Sequence, residues 1–376
     1  MKLFDFLKPK SFLGVDIGTS AIKVVQLSKE KDTYRLENYG EIKFSEEEAP
    51  MEVYQQSSLK MLDEQVADLL KKIIAETGIT ATQAAFSLPV FSSFSTIIEL
   101  PPMPKDEMEK AIQFEARQYV PIPISEVSLD SLVIGEEHKI HAENKISART
   151  EEGQQKEGQP PAQQKKKHVE VLLVAVPNEI KKKYQRIAEL AGLNLIALEM
   201  ETFPLARALL KGDPTITVIA DVGARSTDIC IVDNGFVRIS HNFEFSGVDI
   251  TKAFAAFTKS NFIEAERAKK VTGLNLTPGQ LAEAKALVGI VDNITNEIDR
   301  IIHSYFNKTG REVKRVVLSG GVSFMPGFVE RLQEKLNAPV MVGKPFENLV
   351  WQKELERTLA DIGPSFGVAV GLAMRR

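Results

Sequence analysis

The sequence predicts an α/β chain whose two halves begin alike, and three stretches carry that prediction. Residues 13–27 read as an apolar strand, a tight turn through Gly18, Thr19 and Ser20, and a second apolar strand. Residues 218–232 repeat the pattern roughly two hundred positions later, setting Asp221 against Asp16, Gly223 against Gly18 and Asp228 against Lys23. Residues 316–329 read as a short buried strand, the double glycine Gly320-Gly321 and a helix start. Singly, the first is an ordinary core hairpin and the third a strand-to-helix loop.

Two such hairpins in one chain point to shared chemistry. A glycine turn after a strand presents backbone N–H groups to an anion and lets the backbone approach it closely. The hydroxyls of Thr19 and Ser20 add donors, and Lys23 supplies a point charge suited to phosphate. The carboxylates of Asp16 and Asp221 are poor phosphate partners but suitable outer partners of a hydrated Mg²⁺, which keeps several waters and takes only one or two carboxylates. The expectation is two hairpins clamping one Mg-nucleotide from opposite sides. The bare backbone of Gly320 and Gly321 offers a surface for a flat ring.

Composition narrows the function classes. The 376 residues, 43% hydrophobic and 26% charged, suit a globular chain of two to three domains. A net charge of −4, from 47 basic against 51 acidic residues, gives no global field for nucleic acid. Cys230 is the sole cysteine, which excludes a disulfide framework and a Cys₄ zinc site. The pair His138 and His141 sits in a polar segment and is not expected to bind metal. No run reaches the ~18 apolar residues of a membrane span. Residues 1–10 lack the apolar stretch of a secretory signal; Leu3, Phe4, Phe6 and Leu7 either pack back onto the domain or form a small amphipathic foot. The cytoplasm is the expected compartment.

In chain order, residues 34–43 read as a third strand leading into the acidic run 46–48, and a helix follows from 59 with Leu62, Val66, Leu70 and Ile73 on its apolar face, ended by Gly78. A module of different character comes next, with strands at 84–88 and 94–100, a helix at 106–119 stopped by Pro121 and Pro123, and strands at 127–134 and 169–176. Between these last two, residues 136–167 are too polar to offset their ordering entropy and read as a disordered tether; Lys165, Lys166 and Lys167 at its end are a solvated flank. Helices at 178–191 and 201–210 flank a strand at 193–198. After the second hairpin come a strand at 235–245, a helix from 246, a long helical pattern over 277–307 without a sustained heptad, and a last short strand at 340–342. Small residues recur over 363–376, so that a helix there can cross another closely.

The three motifs, in this order, resemble the two phosphate segments and the adenosine segment of the actin-like ATPase superfamily. That resemblance implies two ribonuclease-H-like halves with an FtsA-type module inserted in the first. The domains implied are a first core of 1–85, 177–213 and 364–376, a peptide-binding module of 86–176, a second core of 214–250 and 310–363, and a helical subdomain of 251–309 over the nucleotide. It implies ATP and Mg²⁺ as ligands, with Asp16 and Asp221 at the metal, and Gly18, Thr19, Ser20, Lys23, Gly223, Ala224, Arg225, Gly320, Gly321 and Phe324 around the nucleotide. Glu201 is the implied orienter of a water near the γ-phosphate, with Glu199 a weaker candidate; a helix N-terminus favours an acidic residue without any catalytic role. Glu266 and Lys269 match the superfamily's Ala-Glu-x-x-Lys element, whose Glu and Lys contact ribose and adenine; a surface i,i+3 ion pair explains them equally well.

Within the superfamily, the start Met1-Lys2-Leu3-Phe4-Asp5-Phe6-Leu7-Lys8-Pro9-Lys10 and the segment Phe114-Glu115-Ala116 to Tyr119-Val120-Pro121 are similar to the PilM family of type IV pilus assembly. Only two arginines follow Met374, so neither a chaperone-type peptide domain nor an FtsA-type membrane helix is expected. The resemblance implies a scaffold peripheral to the inner membrane. Its implied partners are the cytoplasmic N-terminal tail of a PilN-like bitopic inner-membrane protein, held in a subdomain groove near 114–123, and pilus motor ATPases. Brisk hydrolysers usually carry Gly where Ala224 and Arg225 stand, so slow ATPase activity is the expectation. An FtsA- or MreB-like filament protein and a small-molecule kinase of the same fold are the alternatives.

Overall fold

Two sheets built to one plan frame the molecule. In the computed structural model, which describes residues 11–31, 33–44, 61–134 and 168–375, β1 (Ser11–Ile17), β2 (Ala21–Glu30) and β3 (Thr33–Lys43) form an antiparallel meander. To β1 are added, in parallel, β4 (Gln83–Leu88) and then β8 (Asn194–Met200). The second sheet repeats the plan: β9 (Thr217–Val222), β10 (Thr227–Asp233) and β11 (Phe236–Phe243) make the meander, and β12 (Arg315–Ser319) and β13 (Val340–Val342) extend β9 in parallel. Strand order is thus β3-β2-β1-β4-β8 in one half and β11-β10-β9-β12-β13 in the other, with the two-residue β14 (Leu349–Val350) added beside β3. These are two ribonuclease-H-like halves. Near-continuous burial along β1, β2, β9 and β10 is what strands covered on both faces require.

The layer between the sheets is made by two short helices, α4 (Thr202–Leu210) and α11 (Gly367–Ala373). Leu205 and Leu372 share one apolar cluster with Ala85 of the first sheet and with Ile219 and Cys230 of the second. Their close crossing requires glycine: a Cβ on Gly371 would lie 1.9 Å from the carbonyl oxygen of Pro204. The expected small-residue crossing is present, although the segment opens with a 3₁₀ turn over Gly363–Phe366.

Outside this layer, α1 (Asp63–Thr77) buries Val66, Leu70 and Ile73 and stops at Gly78, whose φ of 67° closes the helix as a left-handed cap. Leu62, expected on its apolar face, lies one residue before the helix and is exposed. The second half carries α5 (Gly247–Thr258), α6 (Phe262–Val271), α7 (Pro278–Glu283), α8 (Lys285–Thr309) and α9 (Phe328–Gln333), with α10 (Glu356–Ile362) preceding the closing turn. The long pattern over 277–307 is therefore two helices rather than one. Ala284, at ψ 35°, breaks it, because Thr277 and Pro278 start a separate capped turn. The boundary placed at 250/251 cuts through α5.

The chain divides into two compact units, Ser92–Ile180 and the remainder. The unit Ser92–Ile180 has its own sheet, with β7 (Val169–Pro177) between β5 (Phe94–Leu100) and β6 (Val127–Ile134), all antiparallel. Across one face lies α2 (Lys105–Tyr119), whose Met108, Ile112 and Ala116 recur every four residues against Ile98, Val171 and Leu173. The strand at 84–88 belongs elsewhere. It is β4 of the first core sheet, so a module beginning at residue 86 is corrected to one beginning at Ser92. Helix α3 (Asn178–Leu190) crosses the later boundary of this unit. The readings of 1–10, 46–48, His138 with His141 and the tether 136–167 fall outside the described residues.

Candidate functional site

The two hairpin turns are built alike. In the first, Gly18 N donates to the Ala21 carbonyl at 3.0 Å; in the second, Gly223 N donates to the Ser226 carbonyl at the same 3.0 Å. The strand registers match too, with Asp16 opposite Lys23 and Asp221 opposite Asp228. Both turns open on one cavity of about 540 Å³, within the range of small-molecule sites. Asp16, Gly18, Thr19, Ser20 and Lys23 line it from the first half, and Asp221, Gly223, Ala224 and Arg225 from the second. Glu201 at the start of α4, Glu266 and Lys269 of α6, and Gly320, Gly321 and Phe324 complete the set of residues singled out from sequence.

Glycine at 320 is dictated by geometry. It sits at φ 83°, and a Cβ there would meet the Val222 carbonyl oxygen at 2.4 Å and Asp221 Oδ1 at 2.6 Å. A Cβ on Gly321, by contrast, would have no neighbour within 4 Å, so its face toward the cavity is open. The helix expected after this pair begins only at Phe328, because Gly321–Phe324 forms a 3₁₀ turn first.

Four carboxyl groups, those of Asp16, Glu201, Asp221 and Asp228, line the cavity. Asp16 is buried and accepts from Ser87 Oγ at 2.8 Å; burial raises its pKa, against the opposing pull of Lys23 and that hydrogen bond. Burial, with the charges of Asp228 and Asp16, pushes Asp221 up to about 7. Asp228 is pushed by burial to about 6, opposed by Asn242 Nδ2, which donates to it at 2.8 Å. Glu201 is driven well above the carboxylate range by burial and then by the charges of Asp228, Asp16 and Asp221. The mutual repulsion shows that these groups share one electrostatic environment. A cation entering it would relieve that repulsion, and the donor set therefore suits a hard, oxygen-loving metal ion. Among the described residues no three acidic, His or Cys side chains are arranged to chelate a metal by themselves. Such an ion would take its remaining ligands from phosphate and water.

Two expectations change. Glu199 does not line the cavity; its buried carboxylate is clamped by Arg207 at 2.6 Å and Arg375 at 2.5 Å, which makes it a brace for α4. Nor are Glu266 and Lys269 a surface ion pair. Lys269 is only 7% exposed, and its Nζ lies 2.6 Å from Glu266 Oε2. Burial would raise the Glu266 carboxyl, yet Lys269, Thr251 and Lys270 together bring it below its usual value.

Sequence reasoning underweighted Asp228. The signal was present in its alignment with Lys23, since the duplicated plan puts a carboxylate where the first hairpin has a cation. Ser87 and Asn242, which hold Asp16 and Asp228, carried no signal of their own; only the sheet pairing brings them in.

Comparison with known proteins fixes the family. The family model described as "Type IV pilus assembly protein PilM" matches residues 14–159 and 157–376. The chain belongs to the PilM family. Its fold is similar to that of the solved "PilM-PilN type IV pilus biogenesis complex" protein, at 23% identity and a TM-score of 0.77, covering 98% of this chain and 99% of that one. It is also similar to the ethanolamine utilization protein EutJ of Carboxydothermus hydrogenoformans, at 16% identity and a TM-score of 0.51, over 98% and 90% of the two chains. The architecture is that of the actin-like ATPases. Among curated proteins, cell division protein FtsA of Neisseria meningitidis serogroup B is 26% identical over 211 residues, and that of Pseudomonas aeruginosa 24% over 233. These alignments cover 50% and 56% of this chain, and the chain spans about half the length of the curated relatives it matches, 50% and 53% respectively. Among the described residues no helix is long and apolar enough to cross a membrane.

Proposed function

We propose that this chain is a nucleotide-binding scaffold of type IV pilus assembly, holding Mg-ATP between its two halves and the tail of an inner-membrane partner on its second unit. One observation carries the nucleotide reading: two turns of the same hydrogen-bonded geometry, one from each half, face a single cavity walled by Asp16, Lys23 and Asp221. The backbone N–H groups and hydroxyls of Thr19 and Ser20, with Lys23 and Arg225, would hold the phosphates. Asp16 and Asp221 would orient the waters of a bound Mg²⁺, which supplies charge neutralisation to the phosphates. Gly320, Gly321 and Phe324 would flank the base, with Glu266 near the sugar.

Glu201 stands where it could orient a water, but burial and the charges of Asp228, Asp16 and Asp221 raise its pKa well above the carboxylate range, which disfavours the ionised form a base needs. Ala224 and Arg225 also put side chains where a glycine-rich turn would have none. Both features support slow turnover, with nucleotide as a structural or switching ligand.

The partner reading rests on family membership and on one surface. Phe114 is 63% exposed on the face of α2 opposite its buried stripe, and Tyr119 at the helix end and Ile122 just beyond it are exposed as well. Val120 leaves the helix in an extended conformation and Pro121 and Pro123 forbid its continuation, so these exposed apolar side chains offer contacts for a short amphipathic peptide. The occupant proposed is the N-terminal tail of a PilN-like bitopic protein, which would keep this chain in the cytoplasm and at the inner membrane. Isothermal titration of the chain with a synthetic PilN-like tail, with and without Mg-ATP, tests it. Binding weakened by Phe114→Ala is expected, and no binding in either state would remove the scaffold reading.

A further inference from the structure

We propose that Ser319 is a positioning residue for Asp221, tying the carboxylate of the second hairpin to the turn that leads into α11. This rests on the nucleotide reading above. In each half a buried serine stands on the parallel strand beside the aspartate. On β4, Ser87 follows Phe86, which pairs with Val15, and so comes level with Asp16; on β12, Ser319 pairs with Asp221 directly. The duplicated frame repeats the aspartate and serine pair as it repeats the turns.

The two hydroxyls are used differently. Ser87 Oγ gives its proton to Asp16 at 2.8 Å and accepts from Ile17 N at 3.3 Å, so the first aspartate is held within its own sheet. Ser319 Oγ donates to the Pro364 carbonyl at 2.8 Å, in the 3₁₀ turn Gly363–Phe366. A hydrogen bond from the same serine also offsets part of the lift that burial gives the Asp221 carboxyl. A hydroxyl has one proton to donate, and this one stands between two acceptors. Gly320 N donates to the Pro364 carbonyl as well, at 3.0 Å, and a Cβ on Gly320 would lie 2.6 Å from Asp221 Oδ1. A Cβ on Gly367, the first residue of α11, would come within 3.3 Å of Ser319 Oγ and 2.8 Å of Leu205 Cδ2 on α4. Aspartate, serine, the Pro364 turn and the two helices between the sheets are thus packed in series. An ionised carboxylate accepts more strongly than a carbonyl, so a shift of Asp221 toward a hydrated cation draws on the hydroxyl that also holds Pro364.

The test uses the full chain with Ser319→Ala, Ser319→Cys, Ser319→Thr and Ser87→Ala. Two quantities are read: the magnesium concentration for half-maximal ATP binding, and amide hydrogen exchange over residues 363–373 with and without Mg-ATP. Ser319→Ala should raise the magnesium requirement roughly fivefold, for one lost hydrogen bond, leave ATP affinity at saturating magnesium at the wild-type value, and abolish the protection that Mg-ATP confers on 363–373. Ser319→Thr, which keeps the hydroxyl, should preserve most of both. Ser319→Cys, a weak donor, should resemble Ser319→Ala and carries the test if that variant does not fold. Ser87→Ala should raise the magnesium requirement yet leave the protection at 363–373 intact. The inference is overturned if Ser319→Ala leaves the magnesium requirement unchanged, weakens ATP equally with and without magnesium, or keeps the protection. It is also overturned if the wild type shows no such protection or if Ser87→Ala abolishes it. A wild-type chain that binds no ATP, or binds it without magnesium, overturns the nucleotide reading beneath it instead.

Discussion

The hairpins β1–β2 and β9–β10 share a backbone and differ in chemistry. Each closes on a glycine N–H bonded three residues ahead at 3.0 Å, and each carries an aspartate one residue before the end of its first strand. Opposite that aspartate, however, the first carries Lys23 and the second Asp228. The first turn then offers Thr19 and Ser20, the second Ala224 and Arg225. A duplicated frame thus delivers two similar backbone turns to one cavity, and the side chains paired across them differ: Lys23 stands opposite Asp16, whereas a second carboxylate, Asp228, stands opposite Asp221.

That contrast yields predictions of decreasing size. Removing the cation is the harshest change. Lys23→Ala should cost on the order of a hundredfold in Mg-ATP affinity, as loss of a charged hydrogen-bond donor does in a desolvated site, whereas Asp228→Asn should leave affinity within about threefold. Equal losses, read by calorimetry, would mean the two turns are not specialised. Next, converting the second turn to the glycine-rich form with Ala224→Gly and Arg225→Gly together should raise the ATP hydrolysis rate, by roughly tenfold if crowding costs about one hydrogen bond at the transition state. A phosphate-release assay that showed no rise would assign the slowness elsewhere.

Titration gives a third, smaller effect. Asp221 and Asp228 have folded-state values of about 7 and 6, above the ordinary 3.8. A folded state that binds these protons more tightly than the unfolded chain loses relative stability as pH rises through the folded-state values. The ligand-free melting temperature should therefore be lower at pH 8 than at pH 6, by on the order of 2 °C, and Asp221→Asn should flatten the fall. Smallest is a test of geometric equivalence. Added Cβ atoms would meet carbonyl oxygens at 3.1 Å from Gly18 and 3.0 Å from Gly223. Gly18→Ala and Gly223→Ala should then destabilise alike, each by about 1 kcal/mol, and a large difference in thermal melting would show that the turns are not mechanical copies.

Legibility from sequence followed the range over which each signal acts. Both hairpins, the cap at Gly78 and the strand ending at Ser319 were readable because turn chemistry and alternation are local. Residues of the cavity were readable because the duplication marked them: Asp16, Gly18 and Lys23 single out Asp221, Gly223 and Asp228. Strand β4 was assigned to the wrong sheet because its apolar run does not say which neighbour it pairs with; its bonds to β1 and β8 join positions far apart in sequence. Glu199 and Glu201 look alike in sequence, two residues apart on the same approach to α4. Only the arginines at 207 and 375 separate a structural brace from a group facing the cavity. The break at Ala284 was hidden because apolar spacing continues across it.

The central claim is that one nucleotide is gripped by both turns at once, and calorimetric titration of Mg-ATP into the wild type, Asp16→Asn and Asp221→Asn tests it most directly. One site per chain, dependent on magnesium and weakened by a similar factor in both variants, is the predicted result. Binding that survives chelation of magnesium, or that responds to only one of the two aspartates, would contradict it.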